Sequence, residues 1–197
     1  MKKVLLLTAL LLSAGIAANA QWKFGVKAGA SYSGMGMDNF DSRWGFNTGV
    51  LAQYKFAESK LPLALQTEVL YSMQGSKYDI GVGGLRAKGK YDLDYINVPM
   101  MVQGYILPGL NIEIGPQFGF LVGAKNKPDD LDDIDVKDNM KTFDFSLAMG
   151  AAYELSVIPV GFYARYTLGL TDIWDNTPSS SDSGKNRVLQ FGAFVKF

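Results

Sequence analysis

The chain has 197 residues, 19 basic against 19 acidic, with no histidine and no cysteine. That is one domain's worth of length, and its balanced charge argues against a nucleic-acid partner, which wants a concentrated basic surface. Without thiols or imidazoles, disulfides, thiolate metal sites and histidine-dependent hydrolysis are all excluded.

The first twenty residues read apart from the rest. Lys2 and Lys3 precede an apolar run from Val4 to Leu12, and Ala18-Asn19-Ala20 has the small-x-small form of a signal-peptidase site. An apolar stretch of about fifteen residues is too short for a membrane-crossing helix, which needs ~20. Residues 1–20 are therefore expected to be a cleaved secretory signal, with the mature domain running over 21–197 from Gln21. Without Lys2 and Lys3 the mature chain holds 17 basic residues against 19 acidic, a net charge of −2. No cysteine follows the expected cleavage site, so a lipid-anchored amino terminus is not expected.

From Trp22 the hydrophobic pattern has a period of two, the spacing of strands with one apolar face. The first expected strand, over 22–33, sets Trp22, Phe24, Val26, Ala28, Ala30 and Tyr32 against Lys23, Gly25, Lys27, Gly29 and Ser31. A loop with Gly34, Gly36, Asp38 and Asp41 leads to a second strand over 43–56, and a short turn to a third over 63–74. Residues 75–90 read as a glycine- and lysine-containing loop. In the fourth strand, 91–106, Tyr91, Leu93 and Tyr95 keep one phase and Ile96, Val98, Met100 and Val102 the other. A bulge near Asp94-Tyr95 would produce that flip, and Pro99, which cannot donate to a ladder, supports local irregularity.

Leu107-Pro108-Gly109 is a tight turn into a fifth strand over 110–124, and 125–141 reads as a long acidic loop. The sixth and seventh strands, 142–155 and 159–171, are separated by a short turn. Residues 172–186, rich in Ser, Asp and Gly, form the last loop. The closing strand, 187–197, is apolar at Leu189, Phe191, Ala193, Val195 and Phe197. Ending on an aromatic residue, it would leave a bare edge unless it pairs with the first strand and closes a barrel.

Eight strands with connections alternating long and short form the pattern of outer-membrane barrels, which have short turns on one side and long loops on the other. The competitor is a soluble barrel of the lipocalin kind, a ligand carrier whose apolar face points inward. The second face of each strand decides between them. It is dominated by Gly, Ala, Ser and Gln, with Lys27, Glu68, Glu113, Asp144, Glu154 and Arg165 set apart from one another. That composition suits a narrow lumen in which a few long polar side chains pair. None of the apolar faces carries a charge, which would cost ~2–4 kcal/mol at a bilayer midplane. Aromatics such as Trp22, Tyr32, Trp44, Phe56, Tyr71 and Tyr153 fall near strand ends, where interfacial girdles form. The expected fold is an all-β, eight-stranded, antiparallel up-and-down transmembrane β-barrel.

Four segments carry a family resemblance: Tyr95-Ile96-Asn97-Val98-Pro99-Met100-Met101, Ile114-Gly115-Pro116-Gln117-Phe118-Gly119, Phe145-Ser146-Leu147-Ala148-Met149-Gly150-Ala151-Ala152-Tyr153, and Ala164-Arg165-Tyr166-Thr167-Leu168-Gly169-Leu170-Thr171-Asp172-Ile173. Their order resembles the PorT-like outer-membrane β-barrel family, abundant in Bacteroidetes-type bacteria. The resemblance spans the mature chain and implies an eight-stranded barrel in the outer membrane. It implies no particular activity.

Glu113 with Asp144 or Glu154 is the one acid–base pair the lumen offers; neutralisation of these acids by Arg165, Lys27 or Lys55 is the preferred reading. No catalytic, cofactor or metal site is expected. The acidic run Asp129, Asp130, Asp132, Asp133, Asp135 and Asp138 lacks the glycine and terminal Glu of an EF-hand loop, so it reads as a solvated loop ahead of a weak divalent-cation contact. Tyr163, Arg165, Phe194, Leu70 and Leu121 point inward and are expected to block conduction. The expected function is non-enzymatic: a monomeric barrel that displays four outside loops for adhesion or partner binding, or else an accessory subunit of an envelope secretion or transport machine. Expected partners are outer-membrane lipid, a barrel-assembly machinery that reads the closing strand at Phe191, Val195 and Phe197, and an unidentified protein met through the loops. Trp174, Ile173 and Leu131 are the apolar loop residues chosen as its surface.

Overall fold

The computed structural model describes residues 21–36, 40–56, 62–82, 85–129, 132–173 and 184–197. The expected signal segment, Trp174 and Leu131 lie outside them. Among the described residues nine strands form: β1 (Trp22–Met35), β2 (Phe40–Lys55), β3 (Leu63–Val82), β4 (Leu85–Leu107), β5 (Leu110–Pro128), β6 (Ile134–Asp135), β7 (Phe143–Glu154), β8 (Val160–Asp172) and β9 (Lys185–Lys196). All but the two-residue β6 join one antiparallel ring, in which neighbours in sequence pair and β9 pairs back onto β1. The closing seam runs from Gly25↔Lys196 to Met35↔Asn186, and the Phe24 and Phe197 backbones bond each other reciprocally. Closure leaves no barrel strand with a bare edge.

The two faces separate as the alternation requires. Val26, Val50, Val69, Val102, Ile112, Ile114, Phe162, Leu170, Leu189 and Phe191 are exposed around the outside, while the intervening residues are buried within. An apolar band of this kind is stable in hydrocarbon and costly in water. Aromatic clusters edge the band at both ends. Trp22, Tyr54 and Phe56 pack near the turns, with ring centroids 5.1 and 5.2 Å apart. Tyr32, Trp44 and Phe191 pack near the loops, at 5.0 and 5.8 Å.

The structure corrects the sequence reading at the loop end. The loop expected over 75–90 is a paired hairpin: the β3–β4 ladder continues from Gly75↔Asp92 to Val82↔Leu85, and β5 follows it as far as Gly89↔Pro128. Strands β3, β4 and β5, of 20, 23 and 19 residues, thus rise above the rest of the barrel as a wall. That wall extends beyond the apolar band, so neither of its faces shows the apolar alternation that marks a strand in sequence. Gly75, at φ +134°, makes the transition; a Cβ there would lie 1.9 Å from the Tyr91 carbonyl oxygen. The acidic loop carries regular structure as well, since β6 adds to β5 at Lys125 and Asn126 and a 3-10 turn follows over Lys137–Asn139.

The β4–β5 ladder does shift between Asp94 and Tyr95, where Asp94 pairs with Gly123 and Tyr95 with Leu121. The extra residue, however, is Val122 on β5. β4 keeps one phase throughout, so Leu93 and Tyr95 face the lumen and Asp94 faces out. The outer face is therefore not free of charge. Asp94 stands opposite Met73, hydrogen-bonded to the Tyr71 hydroxyl, beside the space that Gly123 leaves open.

Candidate functional site

Among the described residues the lumen is where buried polar side chains converge, because inward positions look for their partners inside the ring. Alternation turns Lys27 on β1, Glu68 on β3, Glu113 on β5 and Arg165 on β8 into the same buried space. Arg165 spans both acids. Its Nη1 and Nη2 donate to the two oxygens of Glu68 at 2.9 and 2.8 Å, and its Nε donates to Glu113 Oε1 at 2.8 Å. Lys27 Nζ donates to both Glu68 oxygens at 3.1 and 3.2 Å and lies 3.6 Å from the centroid of the Tyr163 ring. Two cations and two carboxylates leave the cluster neutral, and the bidentate guanidinium geometry is what makes burial of such charge sustainable.

Amides extend the cluster. Gln66 donates to Glu68 at 2.6 Å, Gln103 donates to Glu113 at 2.9 Å, and Gln53 donates to Gln103 and, at 3.1 Å, to the Tyr105 hydroxyl. Tyr105 in turn donates to Glu154 at 2.5 Å, where Lys55 and Lys196 also bind at 3.2 and 3.0 Å. At the other side the Tyr163 hydroxyl donates to Asn47 Oδ1 at 2.6 Å. One connected network therefore takes side chains from all eight ring strands. Gly29 supports it by omission, since a Cβ there would meet the Tyr163 hydroxyl at 2.5 Å.

Of the six lumen residues selected from the sequence, five stand in this network and Asp144 stands apart. It accepts from the hydroxyls of Ser146 and Thr171 at 2.7 and 2.6 Å and has no cation among the described residues. Glu113 touches neither Asp144 nor Glu154, so the acid–base pair considered from the sequence is not assembled; each carboxylate has its own separate partners. Sequence reasoning missed Lys196, Tyr105, Gln53, Gln66 and Gln103. Their inward parity was the available signal; which of them meet depends on strands far apart in the chain.

Above the polar network the lumen is shut by an apolar cap. Leu93, Tyr95, Leu121 and Ala124 from the strands meet Met35, Met140 from the acidic loop and Ile173 from the last loop. Ile173, selected as a partner surface, is only 2 % exposed and belongs to this cap instead. A second apolar group, Leu51, Ala152, Tyr163 and Phe194, fills space toward the turns. Phe191 and Val195 project outward on β9, and Phe197, just past its end, is exposed as well. In the acidic loop Asp133 takes Lys127 at 3.1 Å and Asp135 accepts the Lys137 N–H at 2.9 Å. The hydrogen bond to Asp133, with the charges of Asp133 and Asp92, holds the Lys127 ammonium above the usual lysine range. No group of three acidic side chains that could hold a metal ion gathers among the described residues.

A family model described as an outer membrane protein beta-barrel domain matches residues 16–175. Among solved structures, Neisserial surface protein A (NspA) superposes with a TM-score of 0.57 at 16% identity, over 88% of this chain and 97% of that one. Ail, the attachment invasion locus protein of Yersinia pestis, gives 0.45 at 17% identity, over 90% and 99%. No curated protein matches the chain.

Proposed function

The chain belongs to the outer membrane protein β-barrel domain family, and from that premise we propose that it is a closed, non-enzymatic display scaffold for a macromolecular partner outside the cell. It is an integral protein of the bacterial outer membrane, built on eight ring-bonded strands. The observation that carries the display reading is the wall of β3, β4 and β5. Its strands stay hydrogen-bonded from the apolar band up to Val82↔Leu85, so the surface offered outside is fixed. A preorganised sheet binds without the ordering cost that a loose loop incurs.

Catalysis is unsupported by the lumen chemistry. The chain has no histidine or cysteine, and Glu68, Glu113 and Glu154 are each held by a cation. The closer kinship we assign is to PorT-like barrels, on the four segments that carry that resemblance. Residues 1–20 are assigned as the export signal. The barrel works as a monomer in lipid, is delivered by the barrel-assembly machinery, and takes no cofactor, metal or nucleic acid.

Photo-cross-linking in intact cells tests the display role, with the probe at Lys88 or Asp79 on the wall. A defined high-mass adduct is expected there; its absence from both positions removes the reading. An accessory subunit of an envelope machine is the second reading, favoured by Val157, which is 94 % exposed in the β7–β8 turn. That reading requires the adduct at Val157 instead.

A further inference from the structure

Lys77, Lys90 and Lys127 stand abreast on three adjacent strands, Lys77 opposite Lys90 and Lys90 opposite Lys127. Even steps from Met73 on β3 and from Ile96 on β4 place the first two on the side that continues the lipid-facing surface, and the Val122 bulge brings Lys127 to that same side. Like charges directly opposite on a sheet repel across ~5 Å. Lys127 is compensated by Asp133 at 3.1 Å and Asp92 at 3.6 Å. Lys77 and Lys90 have no ion pair among the described residues, although Asp41 stands opposite Lys77 in register. Lys77 and Lys90 therefore hold positive charge in a fixed place without an ion pair of their own, with Asp41 and Asp129 lining the same groove.

The height of the row identifies the counter-ion. The row lies four residues beyond Met73 and five beyond Val122. At ~3.3 Å per residue and ~40° tilt, that is about 10–13 Å above them. The polar layer of a bilayer is about 5–8 Å deep on each side, and lysine stems reach several ångströms down toward it. We propose that Lys77 and Lys90, with Lys127 beside them, bind the phosphate groups of phosphorylated lipid in the outer leaflet, holding an annular lipid against the foot of the wall.

The test titrates the folded mature barrel in neutral detergent with diphosphorylated lipid A and with its dephosphorylated form, counting bound lipid by native mass spectrometry. Two lysines at a charged interface predict a preference of about thirtyfold for the phosphorylated lipid. Lys77→Gln with Lys90→Gln abolishes it, whereas Lys137→Gln with Lys141→Gln leaves it intact. Equal retention of both lipids, or a preference that survives the double substitution, overturns the proposal. Displacement by millimolar inorganic phosphate also overturns it, since that marks a site for free anions. If the double variant fails to fold, salt decides on the unaltered protein: molar salt weakens only the phosphorylated lipid, and salt-insensitive retention refutes the assignment.

Discussion

Arg165 and Glu68 lie 97 residues apart in sequence and meet in a two-point contact at 2.8 and 2.9 Å, completely shielded from solvent. The contact ties β8 to β3 through the middle of the barrel, and through Glu113 it ties both to β5. Backbone pairing alone joins only neighbours around the ring. The guanidinium adds a cross-member, so the barrel resists shear across its width.

Removing one partner of that contact is expected to be severe. Arg165→Met leaves Glu68 and Glu113 with Lys27 as the nearest cation and should cost ~3–5 kcal/mol. Urea unfolding in lipid vesicles measures it. Adding Glu113→Gln to Arg165→Met should recover part of the loss, because one orphaned charge is gone; an additive double variant would show that the two residues do not act as a unit.

The outward and inward faces of β7 should respond differently to substitution. Leu147→Arg places a charge in the apolar band, at ~2–4 kcal/mol, and should block assembly into membranes. From the sequence alone Ser146→Ala is expected to be nearly silent. The structure revises that to about 1 kcal/mol, since Ser146 donates to Asp144 in the lumen and Thr171 alone remains afterwards. Folded yield after reconstitution compares the two.

Conduction should be negligible. Arg165, Tyr163, Phe194, Leu70 and Leu121 are buried in the lumen, and the cap closes its loop end. Purified protein in planar bilayers should show no steady current steps of nanosiemens size. Such steps in the unaltered barrel would mean that the packed lumen opens.

Gly75→Ala should unpair the wall while sparing the barrel. The new Cβ collides with the Tyr91 carbonyl oxygen and forces a positive φ on alanine. It also crowds Arg43, whose side chain crosses Gly75 to reach Asp92. Hydrogen exchange should speed up at Lys77 to Val82 and remain slow at Leu65 to Leu70. Unchanged protection at Lys77 to Val82 would show that the hairpin does not depend on this glycine.

The cap can be probed at Leu93. Leu93→Ala removes a fully buried side chain and should cost ~2–5 kcal/mol. The same substitution on a lipid-facing strand position would cost far less. Thermal unfolding therefore distinguishes the inward placement seen here from the outward one inferred from periodicity.

The eight-stranded ring was legible in the amino-acid order because a bilayer imposes a strict period of two wherever a strand crosses it. Trp22 to Tyr32 and Leu189 to Phe197 show that period without interruption, and the seam between β1 and β9 follows from it. Inward parity likewise selected Lys27, Glu68, Glu113, Glu154 and Arg165. What the order of residues did not hold was depth and distance. Arg165 meets Glu68 while Asp144 meets only hydroxyls because strand tilt and stagger set which inward residues share a level. At Leu93 and Tyr95 an apolar pair met the periodic rule but served a buried cap, since hydrocarbon outside and a packed interior reward the same side chains. Beyond the hydrocarbon the rule lapses altogether: both faces of the Lys77 to Lys90 hairpin lie outside the apolar band, so only backbone pairing in three dimensions distinguishes that wall from a loop.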